Sequence, residues 1–271
     1  MRNDFLPVPA RVEEVIVETP TIRTFVLRPA EVVPFRAGQF VQLYVPGVGE
    51  APFTPSSSPS DPERLEVTVL AAGRVTAALH ALEAGAEIGV RGPFGRGYPL
   101  QELAGHEVVV VGGGVGLAPL RSLLYTLFER PGFVRRVSIK YGARAPQELC
   151  VRRQYAEWAA QPGVDFTPTI DRPAAGWEGR VGLVTSLLDG LDIDAADAYA
   201  VSCGPEIMLR FVAHKLVDVG FAAEHVYLSM NRNMTCGMGI CGRCNVGDRY
   251  LCKDGPDLSF AEVREVPYAL G

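Results

Sequence analysis

The chain has 271 residues, of which 48% are hydrophobic and 21% charged, enough for two compact domains with an appendage and too apolar for global disorder. A formal net charge of −5 speaks against nucleic acid as a partner, because a phosphate-binding surface needs an excess of Lys and Arg.

The opening stretch "MRNDFLPVPARVEEV" lacks the apolar core of a secretion signal. The most apolar run, Val108–Leu120, is broken by glycines and by Pro119, and is too short to cross a bilayer. The expectation is a cytoplasmic protein without a membrane span. Clustered cysteines in that reducing compartment serve metals rather than disulfides.

Residues 1–102 read as β-rich. "RVEEVIVET", "IRTFVLRP", "QFVQLYV", "RLEVTVL" and "AEIGVRG" alternate apolar and polar positions between Pro, Gly and Ser punctuation. Strands of this length and spacing predict a small antiparallel barrel or sandwich. One helix interrupts them: "VTAALHALEAG" places Val75, Leu79 and Leu82 on one face and stops at Gly85.

Residues 103–228 change period. The strand "HEVVVVGGG" leads into the helix "LAPLRSLLYTLFER". The strand "RRVSIKYGAR", a helix around 148–160, the strand "VDFTPTID" and a short helix "LVTSLLDG" follow. The strand "DAYAVSCGP", the helix "EIMLRFVAHKLVDVG" and the strand "HVYLSM" complete the unit. Strands alternating with helices predict a Rossmann-like, doubly wound parallel sheet. Gly112, Gly113, Gly114 and Gly116 stand where a strand meets a helix, so a phosphate can approach the backbone beside the positive helix end. Leu117 at the sixth position departs from a strict G-x-G-x-x-G, which leaves a plain tight turn open. No Walker lysine follows, which speaks against a nucleotide-hydrolysing loop. Asp171 falls at a strand end, where ligands of open sheets bind.

Residues 229–271 form a loop-rich tail. Cys236, Cys241, Cys244 and Cys252 are spaced C-x4-C-x2-C-x7-C, and the first part is the plant-type ferredoxin spacing. Four thiolates serve a [2Fe–2S] cluster, and Gly237, Gly239 and Gly242 let the backbone bend around it. Structural zinc is the alternative, although only Cys241 and Cys244 form a C-x2-C pair. Cys150 and Cys203 read on their own as small buried hydrophobes. His80, His106, His214 and His225 lack paired ligand spacing, and no serine stands in a G-x-S-x-G elbow.

Taken in order, "GGGVGLAPLRSL", "YGAR", "CGPEIM", "MTCGMGICGRC" and "CKDGP" make the chain resemble the ferredoxin–NADP reductase superfamily over nearly its whole length. The branch it looks like comprises electron-transfer subunits with a C-terminal [2Fe–2S] cluster. These are the gamma subunits of cytosolic NAD(P)-linked nickel–iron hydrogenases (sulfhydrogenases), the electron-transfer subunit of dihydroorotate dehydrogenase and the B subunit of anaerobic sulfite reductase. The resemblance implies FAD in the barrel. In "APFTPSSSP", Phe53 takes the aromatic position against the flavin and Thr54 the hydroxyl position, while Ala51 stands where the family has a pyrophosphate-binding arginine. "GRVTAAL" matches a second flavin motif through Gly73, Val75 and Thr76 at a helix start. Arg74 is the replacement charge, and a merely capped helix with Val75 in the core is the plain alternative.

NAD(P) is implied on the second unit, with Gly112–Gly116 under its pyrophosphate and Cys203, Gly204 and Pro205 near the nicotinamide. Hydride transfer obliges no side-chain acid, base or nucleophile, and Cys203 is the candidate to shape the ring site. Tyr141–Arg144 fall near the adenine ribose. Arg144, with Arg152 and Arg153, is a candidate for a 2′-phosphate, and a solvated helix face is the alternative for the latter two. The implied activity is an FAD- and [2Fe–2S]-containing diaphorase subunit of a hetero-oligomer, passing electrons between NAD(P)(H) and catalytic and iron–sulfur partner subunits. A hydrogenase is the first partner expected; dihydroorotate dehydrogenase, sulfite reductase or a bifurcating transhydrogenase are alternatives. A different class, a non-enzymatic regulatory module with a zinc tail, differs in having no visible absorbance.

Overall fold

Six antiparallel strands realise the alternating pattern of the first unit in the computed structural model, which describes residues 3–270. They are β1 (Val8–Val17), β2 (Ile22–Pro29), β3 (Phe40–Val45), β4 (Gly49–Phe53), β5 (Leu65–Leu70) and β6 (Glu87–Phe94), in the order β4-β3-β6-β1-β2-β5. Val12, Phe25, Leu27, Leu43, Val67 and Val90 turn inward to one core. Beyond β4 the open edges are drawn together: Ser56 N–H donates to the Glu66 carbonyl at 2.8 Å, and Glu66 N–H to Ser57 Oγ at 3.1 Å.

Helix α1 (Arg74–His80) drops Leu79 into that core and ends well before Gly85. The residues behind it bond to β1 instead: Gly85 N–H donates to the Val12 carbonyl and Val12 N–H to the Ala86 carbonyl. Strand pairing therefore overrides the helical pattern there.

After α2 (Leu100–Leu103), the second unit is built on β7 (Glu107–Gly113), β8 (Arg136–Ala143), β9 (Val164–Ile170), β10 (Arg180–Val181), β11 (Tyr199–Cys203) and β12 (Val226–Ser229). These strands are parallel throughout, in the order β10-β9-β8-β7-β11-β12. Helices α3 (Leu117–Phe128), α4 (Tyr155–Ala159) and α5 (Glu206–Asp218) accompany them. Val109 and Val111 of β7 face one core and Val108 and Val110 the other, which is why that strand reads as an unbroken apolar run.

The helix expected around 148–160 is instead two 3-10 turns, Pro146–Glu148 and Arg152–Gln154, followed by α4. Val151 breaks it at φ +51°, because its N–H leaves the helical path to donate to Glu18 Oε2 of the barrel at 2.9 Å. The short helix over "LVTSLLDG" is likewise a 3-10 segment, Val184–Leu188.

The tail carries a small hairpin, β13 (Asn245–Val246) and β14 (Arg249–Tyr250), then α6 (Leu251–Asp254), β15 (Asp257–Ser259) and α7 (Phe260–Val263). Strand β15 has no counterpart in the sequence pattern. It adds to the edge of the second sheet, antiparallel to β12, with Ser229 opposite Asp257. No helix among the described residues is long and apolar enough to cross a membrane.

Candidate functional site

The strand order reverses between β7 and β11, and open sheets of this kind bind ligands at such a switch point, outside the carboxyl ends of the strands. The glycine turn after β7 and the Cys203–Pro205 turn after β11 meet there. A Cβ on Gly116 would collide with the Cys203 carbonyl and lie 2.7 Å from Gly204 Cα. A Cβ on Gly113 would run into Met208 of α5, and one on Gly204 would lie 2.5 Å from Met208 Cε. Close packing of the two turns demands Gly116, whereas Gly113 and Gly204 make room for the Met208 thioether of α5. Gly112 is milder, with Leu117 and Tyr141 at 3.3 Å.

Gly114 differs: its φ is +54° and a side chain there would meet nothing within 4 Å. Its carbonyl accepts from Tyr141 Oη at 3.0 Å and from Cys150 Sγ at 3.5 Å. Tyr141 lies within β8 and is fully buried beneath the turn. Burial pushes its phenol up, and pushes the Cys150 thiol up to about 11, so both stay protonated donors. Spacing alone gives no sign of this pair, because they reach the turn from β8 and from the loop after it.

Arg144 and Asp171 come to one sheet edge, directly after the paired strands β8 and β9. Arg144 is exposed, and Asp171 N–H donates to the Ala143 carbonyl at 3.0 Å. Arg152 is also exposed. Arg153 is committed elsewhere, to Glu18 Oε1 of the barrel at 2.8 Å.

A row of side chains crosses the sheet from the glycine turn. Gly112, Cys203, Ser229 and Asp257 are register partners on β7, β11, β12 and β15. Ser229 Oγ donates to Asp257 Oδ1 and lies 3.5 Å from Tyr98 Oη. Desolvation, with Asp257 adding to it, pushes the Cys203 thiol up to about 12. At neutral pH Cys203 is therefore a neutral thiol rather than a nucleophile.

On the barrel, Phe53 at the end of β4 and Val75 in α1 are half-buried against the core, and Thr54 follows half-buried. Thr76 Oγ1 accepts from the N–H groups of Ala72 at 2.9 Å and Gly73 at 2.8 Å, and donates to the Gly73 carbonyl at 2.9 Å. Its one donor and two acceptor positions are filled, so Thr76 shapes the turn and has nothing left to offer a phosphate. Gly73 faces open space, as Gly114 does. Arg74 Nη2 lies 3.8 Å from where a Cβ of Gly49 would be. Gly49 and Ala51 share one side of β4, so Arg74 covers the strand face that lacks an arginine at position 51. Open ground at two glycine turns, one beside a guanidinium, fits the diphosphates of a flavin and a nicotinamide dinucleotide.

The four tail cysteines act on one another as a group: Cys241 on Cys236, and both Cys244 and Cys236 on Cys252. Gly239 N–H donates to Cys252 Sγ at 3.1 Å, and the N–H groups of Met238 and Ile240 to Cys236 Sγ at 3.4 Å. Gly237, Gly239 and Gly242 all have φ between +71° and +78°, the left-handed region that aims successive N–H groups inward. Desolvation opposes the Cys236 thiolate, yet the N–H groups of Cys241, Met238 and Ile240 outweigh it and hold that thiol below its usual value. Among the described residues no three His, Cys, Asp or Glu side chains converge as a single-ion site requires. Grouped thiols with N–H groups on sulfur fit an iron–sulfur cluster. Cys244 and Cys252 are buried, whereas Cys241 is exposed beside Ile240.

Three family models match the chain. They are an oxidoreductase FAD-binding domain over residues 9–98, an oxidoreductase NAD-binding domain over 110–214 and the iron–sulfur cluster binding domain of dihydroorotate dehydrogenase B over 231–264. Sulfhydrogenase 1 subunit gamma of Pyrococcus furiosus is 32% identical, across 88% of this chain and 84% of that protein. A probable dihydroorotate dehydrogenase B (NAD(+)) electron transfer subunit of Methanocaldococcus jannaschii is 34% identical, across 92% and 88%. Among solved structures, a cytochrome P450 reductase of Amycolatopsis superposes with a TM-score of 0.73 at 26% identity, covering 82% of this chain and 69% of that one. An NADH-dependent reduced ferredoxin–NADP oxidoreductase shares the fold over the full chain and 94% of its own, with a TM-score of 0.78 at 24% identity.

Proposed function

This chain belongs to the family of FAD-, NAD- and iron–sulfur-binding electron-transfer subunits that includes the sulfhydrogenase gamma and dihydroorotate dehydrogenase relatives, and we propose that it works as the diaphorase subunit of a hetero-oligomeric complex. It is an NAD(P)H-linked flavin oxidoreductase subunit. Its three parts are taken as residues 1–102, 103–228 and 229–271.

The observation that carries the reading is that both open glycine turns and the grouped cysteines belong to elements bound to one another. Strand β15, beyond the cysteines, is stitched into the nucleotide-binding sheet. The flavin, when bound, converts a two-electron exchange with nicotinamide into single-electron exchange with a cluster. The chain's own residues position these groups. Gly73 and Arg74 receive the flavin diphosphate, and Phe53 and Thr54 bound the ring. Gly114 receives the dinucleotide diphosphate, while Gly113 and Gly116 let the Cys203–Pro205 turn close against it. Arg144 and Asp171 are placed for the ribose end. Cys236, Cys241, Cys244 and Cys252 hold the cluster, and their plant-type C-x4-C-x2-C spacing supports the [2Fe–2S] type. A cytoplasmic location completes the reading, since these thiols must stay reduced.

We take a nickel–iron hydrogenase as the first catalytic partner and a dihydroorotate dehydrogenase as the alternative; sulfhydrogenase gamma and dihydroorotate dehydrogenase electron transfer subunits among the relatives support that pair. Anaerobic purification tests the reading. The expected preparation contains FAD, iron and acid-labile sulfide, and reduces an artificial acceptor with NAD(P)H. Hydrogen or dihydroorotate is expected to react only after the partner is added. Stoichiometric zinc without iron would overturn the cluster, and a folded complex without flavin would overturn the electron chain.

A further inference from the structure

One buried cation joins the barrel to the cysteine loop. Arg91 of β6 is 5% exposed. Its Nε donates to Glu50 Oε2 at 3.0 Å and its Nη2 to Glu50 Oε1 at 2.7 Å. Nη1 donates to the Asp4 carbonyl at 2.9 Å. Nη1 and Nη2 also reach the backbone carbonyl of Cys236, at 3.3 and 3.2 Å. The guanidinium lies 5.3 Å from the centroid of the Phe94 ring, and the same ring would stand 2.6 Å from a Cβ on Gly237. Gln42 of β3 donates to the Met234 carbonyl just ahead of it. The start of the loop is therefore seated on barrel strands, with a full positive charge hydrogen-bonded to the residue that presents the first thiolate.

We propose that Arg91 and Glu50 are a positioning pair that sets the reduction potential of the cluster. The proposal rests on the reading that the four thiolates hold an iron–sulfur cluster. One-electron reduction adds a negative charge to that group. A cation bonded to the carbonyl of a ligand residue favours the added charge, and burial of the guanidinium leaves the effect less screened than at the surface. Glu50 carries the opposite charge and is hydrogen-bonded to Arg91, which itself bonds the Cys236 carbonyl, so it offsets the arginine without cancelling it. The pair also has a mechanical side. Glu50 precedes Ala51 on β4, the strand that ends in Phe53, so the strand offered to the flavin and the loop offered to the cluster share one contact.

Charge and structure make different forecasts. A tuning role gives Arg91→Gln and Glu50→Gln shifts of opposite sign. A purely structural role moves both the same way, because either change opens the same buried pair. The test uses the full-length protein, purified anaerobically, with iron and acid-labile sulfide counted first. Reduction by dithionite, one electron per cluster, is then followed by electron paramagnetic resonance against potential. Arg91→Gln is expected to lower the midpoint, so that the reduced-to-oxidised ratio at the wild-type midpoint falls about tenfold. Glu50→Gln is expected to raise the midpoint, and Arg91→Lys, which keeps the charge, to stay near wild type. Should Arg91→Gln fail to assemble, Glu50→Gln and Arg91→Lys still decide the matter by direction. Fully loaded Glu50→Gln and Arg91→Gln proteins that titrate at the wild-type potential or shift together, or a Glu50→Gln protein that does not rise where Arg91→Gln fails to assemble, overturn this proposal and leave the cluster assignment standing. Absence of iron from the wild type overturns the assignment and the proposal with it.

Discussion

Replacing Asp257 by asparagine changes how stability depends on pH. Asp257 is 8% exposed, and its Oδ2 has no hydrogen-bond partner. That oxygen faces the barrel, 2.7 Å from where a Cβ of Gly38 would lie. The titratable groups around it are Tyr98 and Cys203, both driven toward their protonated forms by burial, with Asp257 adding to it, so neither supplies a positive charge. Burial pushes the carboxyl from 3.8 up to about 7. The folded protein therefore holds a proton that the unfolded chain releases. Stability from this group is fully present below pH 3.8 and is lost as pH climbs toward 7. At about 1.36 kcal/mol per pH unit the whole loss amounts to about 4 kcal/mol, with roughly 2–3 kcal/mol of it above about pH 5. In a chain of this size that corresponds to roughly 5–10 °C in Tm. The amide of the Asp257→Asn variant does not titrate and mimics the neutral acid toward Ser229. The gap between the melting curves of the two holoproteins from about pH 5 to pH 8, followed by circular dichroism, is expected to narrow toward the acid end. At the alkaline end the variant is expected to be the more stable. Parallel curves for the two proteins would refute the reasoning.

Gly116→Ala forces a methyl group into the Cys203 carbonyl and parts the two turns, with an expected cost of about 1–3 kcal/mol and weaker NAD(P)H binding, read by chemical denaturation and nucleotide titration. Glu18→Gln weakens the hold of the barrel on Arg153 and on Val151 N–H, with about 1–3 kcal/mol of expected destabilisation and faster hydrogen exchange confined to residues 146–159. Thr76→Val removes the acceptor for two backbone N–H groups ahead of α1 and is expected to cost about 1 kcal/mol and to loosen FAD, measured as fluorescence of released flavin.

The sheets were legible because their patterns are local. Val108–Val111 flanked by glycine announces a central parallel strand, and the alternation of β2 and β5 announces strands, although their polar positions Thr24, Glu66 and Thr68 are buried as well. The cysteine spacing was legible for the same reason. What failed was local pattern overruled from a distance. Residues 148–160 carry helical spacing, but Glu18, far away in the chain, captures Val151 N–H and breaks the run. Strand β15 spans three residues, too short for any period to declare it. At the candidate site, Gly73 and Gly114 stood out as glycines beside helices. Arg91, Glu50, Tyr141, Cys150 and Asp257 did not, since each acts through a partner that only the tertiary fold supplies. Thr76 sits where a motif puts it, yet its hydroxyl turns back on its own chain.

Pairing of β12 with β15 gives the cysteine segment a closed neck. The chain leaves the sheet after Ser229 and re-enters at Asp257, where Met230 N–H donates to the Pro256 carbonyl at 3.0 Å. All four cysteines hang from that neck as one loop. The entropy of bringing its ends together is met by sheet hydrogen bonds and by the packing of Leu258 and Phe260, not by metal ligation. Small metal domains that lack such a closure unfold when emptied. Here both ends of the loop are held by strands of the nucleotide-binding sheet, so the cysteines lie between two anchors that do not depend on ligation.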